Sequence, residues 1–273
     1  MINYCISHKP LMFRNNSQLR HILLGDELLP KKEQFLPSES IHHISEIAQD
    51  LDYLHCMLAG SSGTFAIARL LRGTHDEWDE TTSVVINQYR KFMAKDTLGM
   101  KSINYPGMVM VPVDKAIDID VFEIQANIKT PFLLPSPIVV GNTYNQYCTA
   151  HRGQDFLRYI AIAIDLGIID HKQAGQIFNS EMMIPGGVEF GIYPVAIFLD
   201  VVEKLEKICL EFAKNNLPSS LDRYQRRALA FCNERMGSYL LLLTLNQICG
   251  AEISPEWFGY MHTVSDNLTY YGT

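Results

Sequence analysis

The chain has 273 residues, of which 47% are hydrophobic, and a formal net charge of −7 at pH 7. This length and hydrophobic content allow one large domain or two small ones with a sizeable core. The acidic balance argues against general nucleic-acid binding, which needs a basic surface. The six cysteines lack CxxC spacing. We therefore expect reduced thiols in a cytoplasmic protein and neither a zinc site nor a disulfide framework.

The N-terminal residues show no basic segment followed by a long apolar stretch, so we predict no signal peptide. The apolar stretch at residues 239–243 is too short to span a bilayer. We expect a cytoplasmic protein without a transmembrane segment, and peripheral contact with the inner face of the membrane stays open.

Hydrophobic periodicity and turn residues predict the elements of the first half. Strands are predicted at residues 2–7, 21–24, 83–87, 107–111 and 131–134. Residues 41–71 have apolar side chains at helical spacing, and the glycines of segment 60–63 are predicted to divide them into two helices. Residues 30–40 resemble a loop, whereas 113–129 fit no single element.

The second half is predicted to be rich in helix. Helices are predicted at 143–166, 189–215 and 221–249, and a strand at 176–184 ends before a Pro-Gly-Gly turn. The aromatic tail after residue 251 is predicted to be rich in turns. Strands that alternate with helices indicate an α/β fold. Because no repeat or linker interrupts the chain, we predict a single domain over 1–273.

A basic, aromatic segment follows the predicted strand at 83–87 and reads Gln88-Tyr89-Arg90-Lys91. In open α/β sheets, ligands bind beyond the carboxyl ends of the strands. A guanidinium group suits phosphate or carboxylate, so this segment predicts a pocket for an anion such as a nucleotide diphosphate. Ser7-His8-Lys9 ends the first strand and is expected at the same edge. For each segment alone, a solvated polar strand end is the alternative.

Three polar side chains in the predicted helix at 143–166 are spaced four residues apart, namely Tyr147, His151 and Asp155. This spacing places them on one helical face. A histidine beside a carboxylate is a common acid/base or substrate-positioning pair. Arg152 and Arg158 each lie three residues from Asp155, so a surface lattice of ion pairs is the alternative.

Other charged residues have a functional or a structural interpretation. Glu181 lies near the end of the predicted strand at 176–184 and could act as a base or bind an acceptor. Arg227 and Glu234 are seven apart and are expected to hold helices together. Asp118 and Asp120 form an Asp-x-Asp pattern, which can hold a divalent cation and a diphosphate. Because the pair does not follow a clean apolar strand, we predict no metal ligands.

Five blocks along nearly the whole chain resemble a bacterial family of proposed glycosyltransferases, largely described as a domain of unknown function and often linked to surface-polysaccharide synthesis. Its central strand ends in His-Tyr-Arg-Arg-Tyr. The matching blocks here are His8-Lys9, Gln88 to Phe92, Leu134-Pro135 with Gln146 to Asp155, Asn179 to Met183, and Arg227 to Met236.

The resemblance implies a GT-A-like, Rossmann-like fold that binds a nucleotide sugar, with a central mixed sheet flanked by helices and a helix-rich C-terminal half. Residues 1–135 would mainly bind the donor and 136–273 mainly the acceptor. The implied activity is that of a hexosyltransferase-type enzyme, which moves a sugar from the nucleotide-sugar donor to a saccharide or lipid-linked acceptor during surface-polysaccharide synthesis.

The resemblance also assigns roles to residues. Ser7 and Tyr89 would contact the nucleotide, while His8, Lys9 and Arg90 would hold the diphosphate. Typical GT-A enzymes hold a metal through Asp-x-Asp at the end of the central strand. Here Arg90 and Lys91, with Lys9, are expected to replace that metal by stabilising the leaving diphosphate, so that no cofactor is required.

On the acceptor side, His151, Asp155 or Glu181 would orient the acceptor or serve as the base. Gln88 stands where the family has histidine. That departure keeps open a non-catalytic sugar- or partner-binding protein with the same fold. A magnesium-dependent nucleotidyltransferase is a further alternative, since that chemistry needs carboxylate-bound metal.

Overall fold

The computed structural model describes residues 1–215, 224–250 and 252–267. Its twelve described strands are β1 (Ile2–Ser7), β2 (Arg20–Leu23), β3 (Ser40–His43), β4 (Ser83–Gln88), β5 (Lys91–Ala94), β6 (Met100–Lys101), β7 (Met108–Val111), β8 (Leu134–Pro135), β9 (Ile138–Val139), β10 (Met182–Met183), β11 (Gly191–Pro194) and β12 (Phe258–Val264). Ten of them form one central sheet, and β9 and β10 pair separately.

The α-helices in the described part of the chain are α1 (Ile44–Ile47), α2 (Gln49–Tyr53), α3 (His55–Leu58), α4 (Gly60–Gly73), α5 (Val113–Ala116), α6 (Val121–Ala126), α7 (Thr143–Cys148), α8 (Gly153–Asp165), α9 (His171–Asn179), α10 (Val195–Asn215) and α11 (Ala228–Cys249). Short 3₁₀ segments lie at Asp26–Phe35, His75–Glu77, Gln225–Arg227 and Pro255–Trp257. The long helices α10 and α11 belong to the C-terminal half, which is helix-rich as predicted.

The central sheet runs in the order β3-β2-β1-β4-β5-β12-β7-β6. Strands β3, β2, β1 and β4 are parallel to one another, whereas β5 pairs antiparallel with both β4 and β12. Strand β11 adds antiparallel to β4, and β8 adds parallel to β12. The predicted α/β fold with a central mixed sheet flanked by helices is confirmed.

The sheet has a hydrophobic core on each face, because successive side chains of an inner strand point to opposite faces. Tyr4 and Ile6 of β1 face the larger core, whereas Cys5 between them belongs to a smaller core on the opposite face. All six residues of β1 are therefore buried, as expected for a strand covered on both faces. Helices α4, α8, α10 and α11 contribute to the larger core. This packing holds the carboxyl ends of β1 and β4 at one edge.

The predicted strand at 176–184 needs correction, because residues 176–179 belong to helix α9 and the strand in this segment is limited to Met182–Met183 of β10. Asp170 caps that helix through the amide of Gln173, whose side chain in turn accepts from the amide of Asp170. Ala174 and Ile177, three residues apart, are its buried positions. Glu181 lies in the turn between α9 and β10, and not in a strand.

The predicted helix at 143–166 is two helices. Helix α7 ends at Cys148, and α8 begins at Gly153 after a turn that contains His151. The two helices pack closely there, since a Cβ on Gly153 would lie 2.7 Å from the hydroxyl oxygen of Tyr144. Tyr147, His151 and Asp155 therefore do not form the continuous helical stripe that their spacing predicts.

Two further helical predictions need correction. Segment 189–215 includes β11, because residues 191–194 pair with β4 before α10 begins. Segment 41–71 includes part of β3 and four helices. The predicted break at 60–63 falls instead at Ala59, whose φ of 48° separates α3 from α4.

The tail is also more regular than predicted. Residues 258–264 form β12, which lies between β5 and β7 in the central sheet. Helix α11 confirms most of the predicted helix at 221–249, and residues 216–223 lie outside the described part of the chain. No helix in the described ranges combines the length and apolar character needed to cross a membrane.

Candidate functional site

The ends of β1 and β4 form one wall of a cavity of about 590 Å³, here called the basic compartment. The strands are parallel neighbours with Ile6 opposite Gln88, and the amide of Tyr89 donates to the carbonyl of Ile6 at 2.9 Å. This register brings His8 beside Tyr89, with ring centroids 4.6 Å apart. The predicted meeting of the two strand ends is therefore a consequence of their pairing.

Cationic side chains from two distant parts of the chain line the basic compartment. Arg90 and Lys91 follow β4, while Arg226 and Arg227 come from the 3₁₀ segment before α11. Among its described lining residues, Glu189 is the carboxylate that faces them. Arg90 lies over the ring of Tyr89 at 5.7 Å, and Arg227 over that of Phe231 at 5.2 Å. The lining suits a ligand that carries several negative charges.

The N-terminus of α4 completes this wall, since Ala59 and Gly60 both line the compartment. Ala59 has φ 48° and ψ −123°, an uncommon conformation for a residue with a Cβ. Because alanine has no polar side-chain atom, Ala59 cannot cap the first turn of α4. The start of a 14-residue helix carries partial positive charge and unpaired amide groups, which adds to the attraction for an anion.

The histidines of the basic compartment are neutral at pH 7. Burial, together with the neighbouring His55, Lys9, Arg90 and Arg227 charges, lowers the pKa of His8 to about 4. Burial also lowers the pKa of His55. Both rings therefore offer neutral hydrogen-bonding groups, and the arginine and lysine side chains supply the positive charge.

A second cavity of about 510 Å³ adjoins the first and is here called the apolar compartment. Its apolar lining includes Met108, Met183, Phe190, Phe231 and Met261. Its polar lining includes Gln146, Glu234 and Arg235, and Arg235 hydrogen-bonds to the other two side chains. Arg235 donates to Gln146 at 2.8 Å and to Glu234 at 2.9 Å, and the amide of Gly186 donates to Glu234 at 2.7 Å.

The two compartments share part of their lining, namely Ala59, Lys91, Glu189 and Arg227. Glu189 accepts from the hydroxyl of Ser61 at 2.6 Å and from the side-chain amide of Gln88 at 3.2 Å. Burial raises the pKa of Glu189 to about 7, although the Ser61 hydrogen bond and nearby cations act in the opposite direction. A proton acceptor poised near neutrality thus lies where the compartments meet.

Sequence reasoning did not single out Glu189. The available signal was an acidic residue between Val188 and Phe190, in an apolar run directly after the Pro-Gly-Gly turn. Its hydrophobic spacing predicts the start of a helix, where an exposed carboxylate is ordinary. In the structure, Gly187 has φ 57° and a Cβ on it would lie 2.8 Å from the carbonyl oxygen of Glu234. The tight turn brings residue 189 to the compartments.

The structure brings together four of the six residues predicted to bind the donor. His8, Tyr89, Arg90 and Lys91 line the basic compartment. Ser7 does not line it, because its side chain is fully buried within β1 and contacts Cys5. Lys9 is exposed and outside the lining, although its charge acts on His8.

The three predicted acceptor-side residues lie outside both linings. His151 stacks on Phe231 and Tyr224, with ring centroids 3.9 and 5.0 Å away, and burial lowers its pKa to about 4. Asp155 is half-buried, and desolvation raises its pKa against the charges of neighbouring arginines. Glu181 is exposed in its turn. The environment of His151 is that of a packed aromatic ring.

The Asp-x-Asp pair lies elsewhere and has a local structural role. Asp120 caps α6 by accepting from the amide of Glu123 at 3.1 Å and also accepts from the side chain of Asn16 at 2.8 Å. Asp118 is exposed, and neither aspartate lines either compartment. Within the described ranges, no group of three or more His, Cys, Asp or Glu residues is arranged to hold a metal ion.

One solved structure is similar to this chain along almost its whole length. The apo structure of the bifunctional glycosyltransferase WbbM matches with a TM-score of 0.69 and 17% sequence identity, over 99% of this chain and 46% of that chain. The match shows the fold alone, and that fold agrees with the predicted α/β architecture. This chain spans about half the length of that protein. No protein-family model matches the chain, and no curated protein sequence matches it.

Proposed function

We propose that this protein is a glycosyltransferase that binds a nucleotide-sugar donor in the basic compartment and an acceptor in the apolar compartment. The observation that carries the proposal is the shared wall between a strongly cationic cavity and a largely apolar one, with a carboxylate in that wall. Transfer between two bound molecules needs such adjoining sites. The similarity to a glycosyltransferase fold supports the same reaction class.

In this proposal, the cationic side chains hold the diphosphate of the donor. Arg90, Lys91 and Arg227 surround the cavity, and the N-terminus of α4 adds its dipole. Negative charge grows on the diphosphate as the bond to the sugar breaks. Fixed positive groups stabilise that charge more in the transition state than in the bound donor, which lowers the barrier. Tyr89 offers a ring for contact with the nucleoside or sugar.

The residues of the basic compartment do not fit a divalent metal. Hard cations bind to several carboxylate or carbonyl oxygens, whereas this lining pairs one carboxylate, Glu189, with four cationic side chains. We therefore propose that Arg90 and Lys91, helped by Arg227, take the part that a metal plays in typical enzymes of this fold class. No step of the proposed reaction is assigned to a metal ion.

The apolar compartment is proposed to bind the acceptor. Phe190 and Phe231 can contact the apolar faces of a sugar ring, and Gln146, Glu234 and Arg235 can bond to hydroxyl groups. A saccharide or a lipid-linked saccharide, of the kind used in surface-polysaccharide synthesis, fits this mixed lining. Lys91 and Arg227 line both compartments and so contact the region in which transfer would occur.

Donor binding tests the proposal directly. In a thermal-shift screen, UDP-, GDP- or dTDP-sugars that bind should raise the melting temperature of the protein, because a ligand that binds the folded state stabilises it. CMP-sugars lack a diphosphate and should give smaller shifts. In calorimetric titrations with the best nucleoside diphosphate, Arg90→Ala should weaken binding by about tenfold to a hundredfold, the usual range for a lost charge-assisted hydrogen bond.

Arg14→Ala is the matched control, since Arg14 is exposed and lines neither compartment. It should leave the affinity unchanged. Sugar transfer should also persist in the presence of a chelator. An Arg90→Ala variant with wild-type affinity would remove the basic compartment from donor binding. Loss of transfer on chelation, restored by magnesium, would contradict the metal-free assignment and favour a magnesium-dependent transferase.

A further inference from the structure

Glu189 is held by a buried chain of hydrogen bonds whose direction can be followed atom by atom. The hydroxyl of Tyr159 donates to Oδ1 of Asn233 at 3.0 Å, and Nδ2 of Asn233 donates to Oγ of Ser61 at 3.0 Å. Ser61 then donates to Oε1 of Glu189 at 2.6 Å. Tyr159, Asn233 and Ser61 are all buried. Three elements, α8, α11 and α4, thus meet behind one carboxylate.

This series of hydrogen bonds leaves Glu189 as a hydrogen-bond acceptor. A serine hydroxyl has one proton, and here it is directed to Glu189 because Asn233 donates to the serine oxygen. The second carboxylate oxygen receives the side-chain amide of Gln88. Each oxygen keeps a further lone pair that can face the cavities. This arrangement orients the carboxylate and leaves it able to take a proton from a bound molecule.

Charged groups on several elements face this carboxylate. Lys91 from β5 and Arg227 from the 3₁₀ segment before α11 favour its ionised form, and Glu234 from α11 opposes it. The Glu189 charge also acts on Tyr193 and Cys209, whose pKa values are raised mainly by burial, so both are neutral at pH 7. The carboxylate can therefore be ionised beside cations and still bind a proton near neutral pH.

We propose that Glu189 is the catalytic base that takes the proton of the acceptor hydroxyl, and that Ser61, Asn233 and Tyr159 are positioning residues that hold its carboxylate between donor and acceptor. This inference rests on the proposed function and assigns the proton-transfer step of the same site. It replaces His151, Asp155 and Glu181, which line neither compartment.

The proposed step is a single displacement at the anomeric carbon. The acceptor oxygen forms a bond to the anomeric carbon of the donor sugar while its proton moves to Glu189. The bond between that carbon and the diphosphate oxygen breaks, and its electron pair leaves with the diphosphate beside Arg90 and Lys91. The proton later passes from Glu189 to solvent. A single displacement of this kind inverts the anomeric configuration, by the same logic as in inverting glycoside hydrolases.

Glu189→Gln tests the base directly, with the UDP-, GDP- or dTDP-sugar that gives the largest thermal shift and a panel of octyl glycosides as acceptors. Loss of a general base should lower kcat by about a hundredfold to ten-thousandfold. Affinity for the nucleoside diphosphate should stay within threefold of wild type, because the diphosphate contacts remain. Glu181→Gln is the matched control and should transfer sugar at the wild-type rate.

The pH profile tests the positioning chain. In the wild-type enzyme, kcat/KM should fall about tenfold per pH unit below an apparent pKa near 7. This acid limb of the pH profile should be absent in Glu189→Gln. Ser61→Ala removes a hydrogen bond that favours the ionised carboxylate, so the limb should move to higher pH. Thr64→Ala, on the same helix with its hydroxyl directed to the Gly60 carbonyl, should leave the limb in place.

Three results would overturn the inference while leaving the proposed function intact. These are a Glu189→Gln variant with at least a tenth of wild-type kcat, an acid limb that persists in that variant, and a product with retained anomeric configuration. The last would make Glu189 a nucleophile or exclude it from the step. If the wild-type protein neither binds the nucleotide sugars nor transfers a sugar, the proposed function fails and this inference falls with it.

Discussion

At the scale of single residues, burial decides which carboxylate is chemically useful. Glu189 and Glu181 have the same side chain, yet the first is half-buried between two cavities and the second is exposed in a turn. Removing a carboxylate from water disfavours its charged form and strengthens it as a base. The same burial makes ionised Glu189 unfavourable for the fold, which is a cost commonly found at functional sites.

We expect Glu189→Gln to stabilise the protein at high pH and not at low pH. The pKa of Glu189 is raised from its ordinary value of 4.5 to about 7 in the folded protein. Between these values the folded state keeps a proton that the unfolded chain has lost, so stability falls as pH rises. The melting-temperature difference between variant and wild type should therefore grow from pH 5 to pH 8.

Differential scanning fluorimetry at pH 5, 6, 7 and 8 measures this difference. The histidines with lowered pKa, such as His8, titrate in both proteins and cancel in the comparison. Glu181→Gln serves as the control, because its carboxylate is exposed, and its curve should run parallel to wild type. A constant difference for Glu189→Gln would show that the carboxylate is not perturbed by its surroundings.

At the scale of elements, α4 connects the site to the core. It begins at the basic compartment, and its second half pairs with α10 through arginines that reach one acidic side chain. Arg69 and Arg72 bond to Glu206 at 2.6 and 3.0 Å. The Glu206 side chain is only 8% exposed, whereas Glu203, one turn earlier on α10, is 45% exposed. The two glutamates should therefore differ in their contribution to stability.

Glu206→Gln should lower the free energy of unfolding by about 1–3 kcal/mol, since it leaves two guanidinium groups without their shared carboxylate. Glu203→Gln removes a more exposed charge from the same helix and should change it by less than about 0.5 kcal/mol. Urea denaturation of both variants, analysed with equal slopes, measures the difference. Equal effects of the two substitutions would mean that the ion pairs of Glu206 do not join α4 to α10.

At the scale of the whole molecule, β12 joins the sheet from the far end of the chain. It lies between β5 and β7, and its Gly259 is buried against the neighbouring strand. A Cβ at this position would lie 2.7 Å from the carbonyl oxygen of Ala94 and 2.7 Å from a methyl carbon of Leu133. Only glycine allows this close approach of the backbones.

Gly259→Ala should lower the free energy of unfolding by about 1–3 kcal/mol, the usual cost of overpacking a buried site. Gly175→Ala is the contrasting substitution, because a Cβ there meets no atom within 4 Å and the residue lies in α9. It should raise stability by up to about 1 kcal/mol, since alanine favours helix. Thermal and urea unfolding measure both. A neutral Gly259→Ala would contradict the tight placement of β12.

Prediction from the sequence succeeded where the signal was local. Strands β1 and β4 and the long helices α10 and α11 agree with their periodicity to within a few residues, apart from the first residues assigned to each helix. It failed where a long-range contact competes with local pattern. Residues 191–194 form a strand because β4 offers them a pairing partner, and 258–264 do so between β5 and β7. Neither partner is visible in the local sequence.

By itself, the sequence determined that strands alternate with helices and that the basic, aromatic segment Gln88-Tyr89-Arg90-Lys91 follows a buried strand. Hydrophobic spacing and residue type are local properties, so the sequence alone reveals them. Tertiary structure alone decided what shares the site. Parallel pairing of β1 with β4 places His8 beside Tyr89. Arg227 lines the same cavity, although it lies more than a hundred residues after Tyr89 in the sequence. The turn before Glu189 sets it between two cavities, where burial and a buried hydrogen-bond chain give its carboxylate the environment that spacing could not predict.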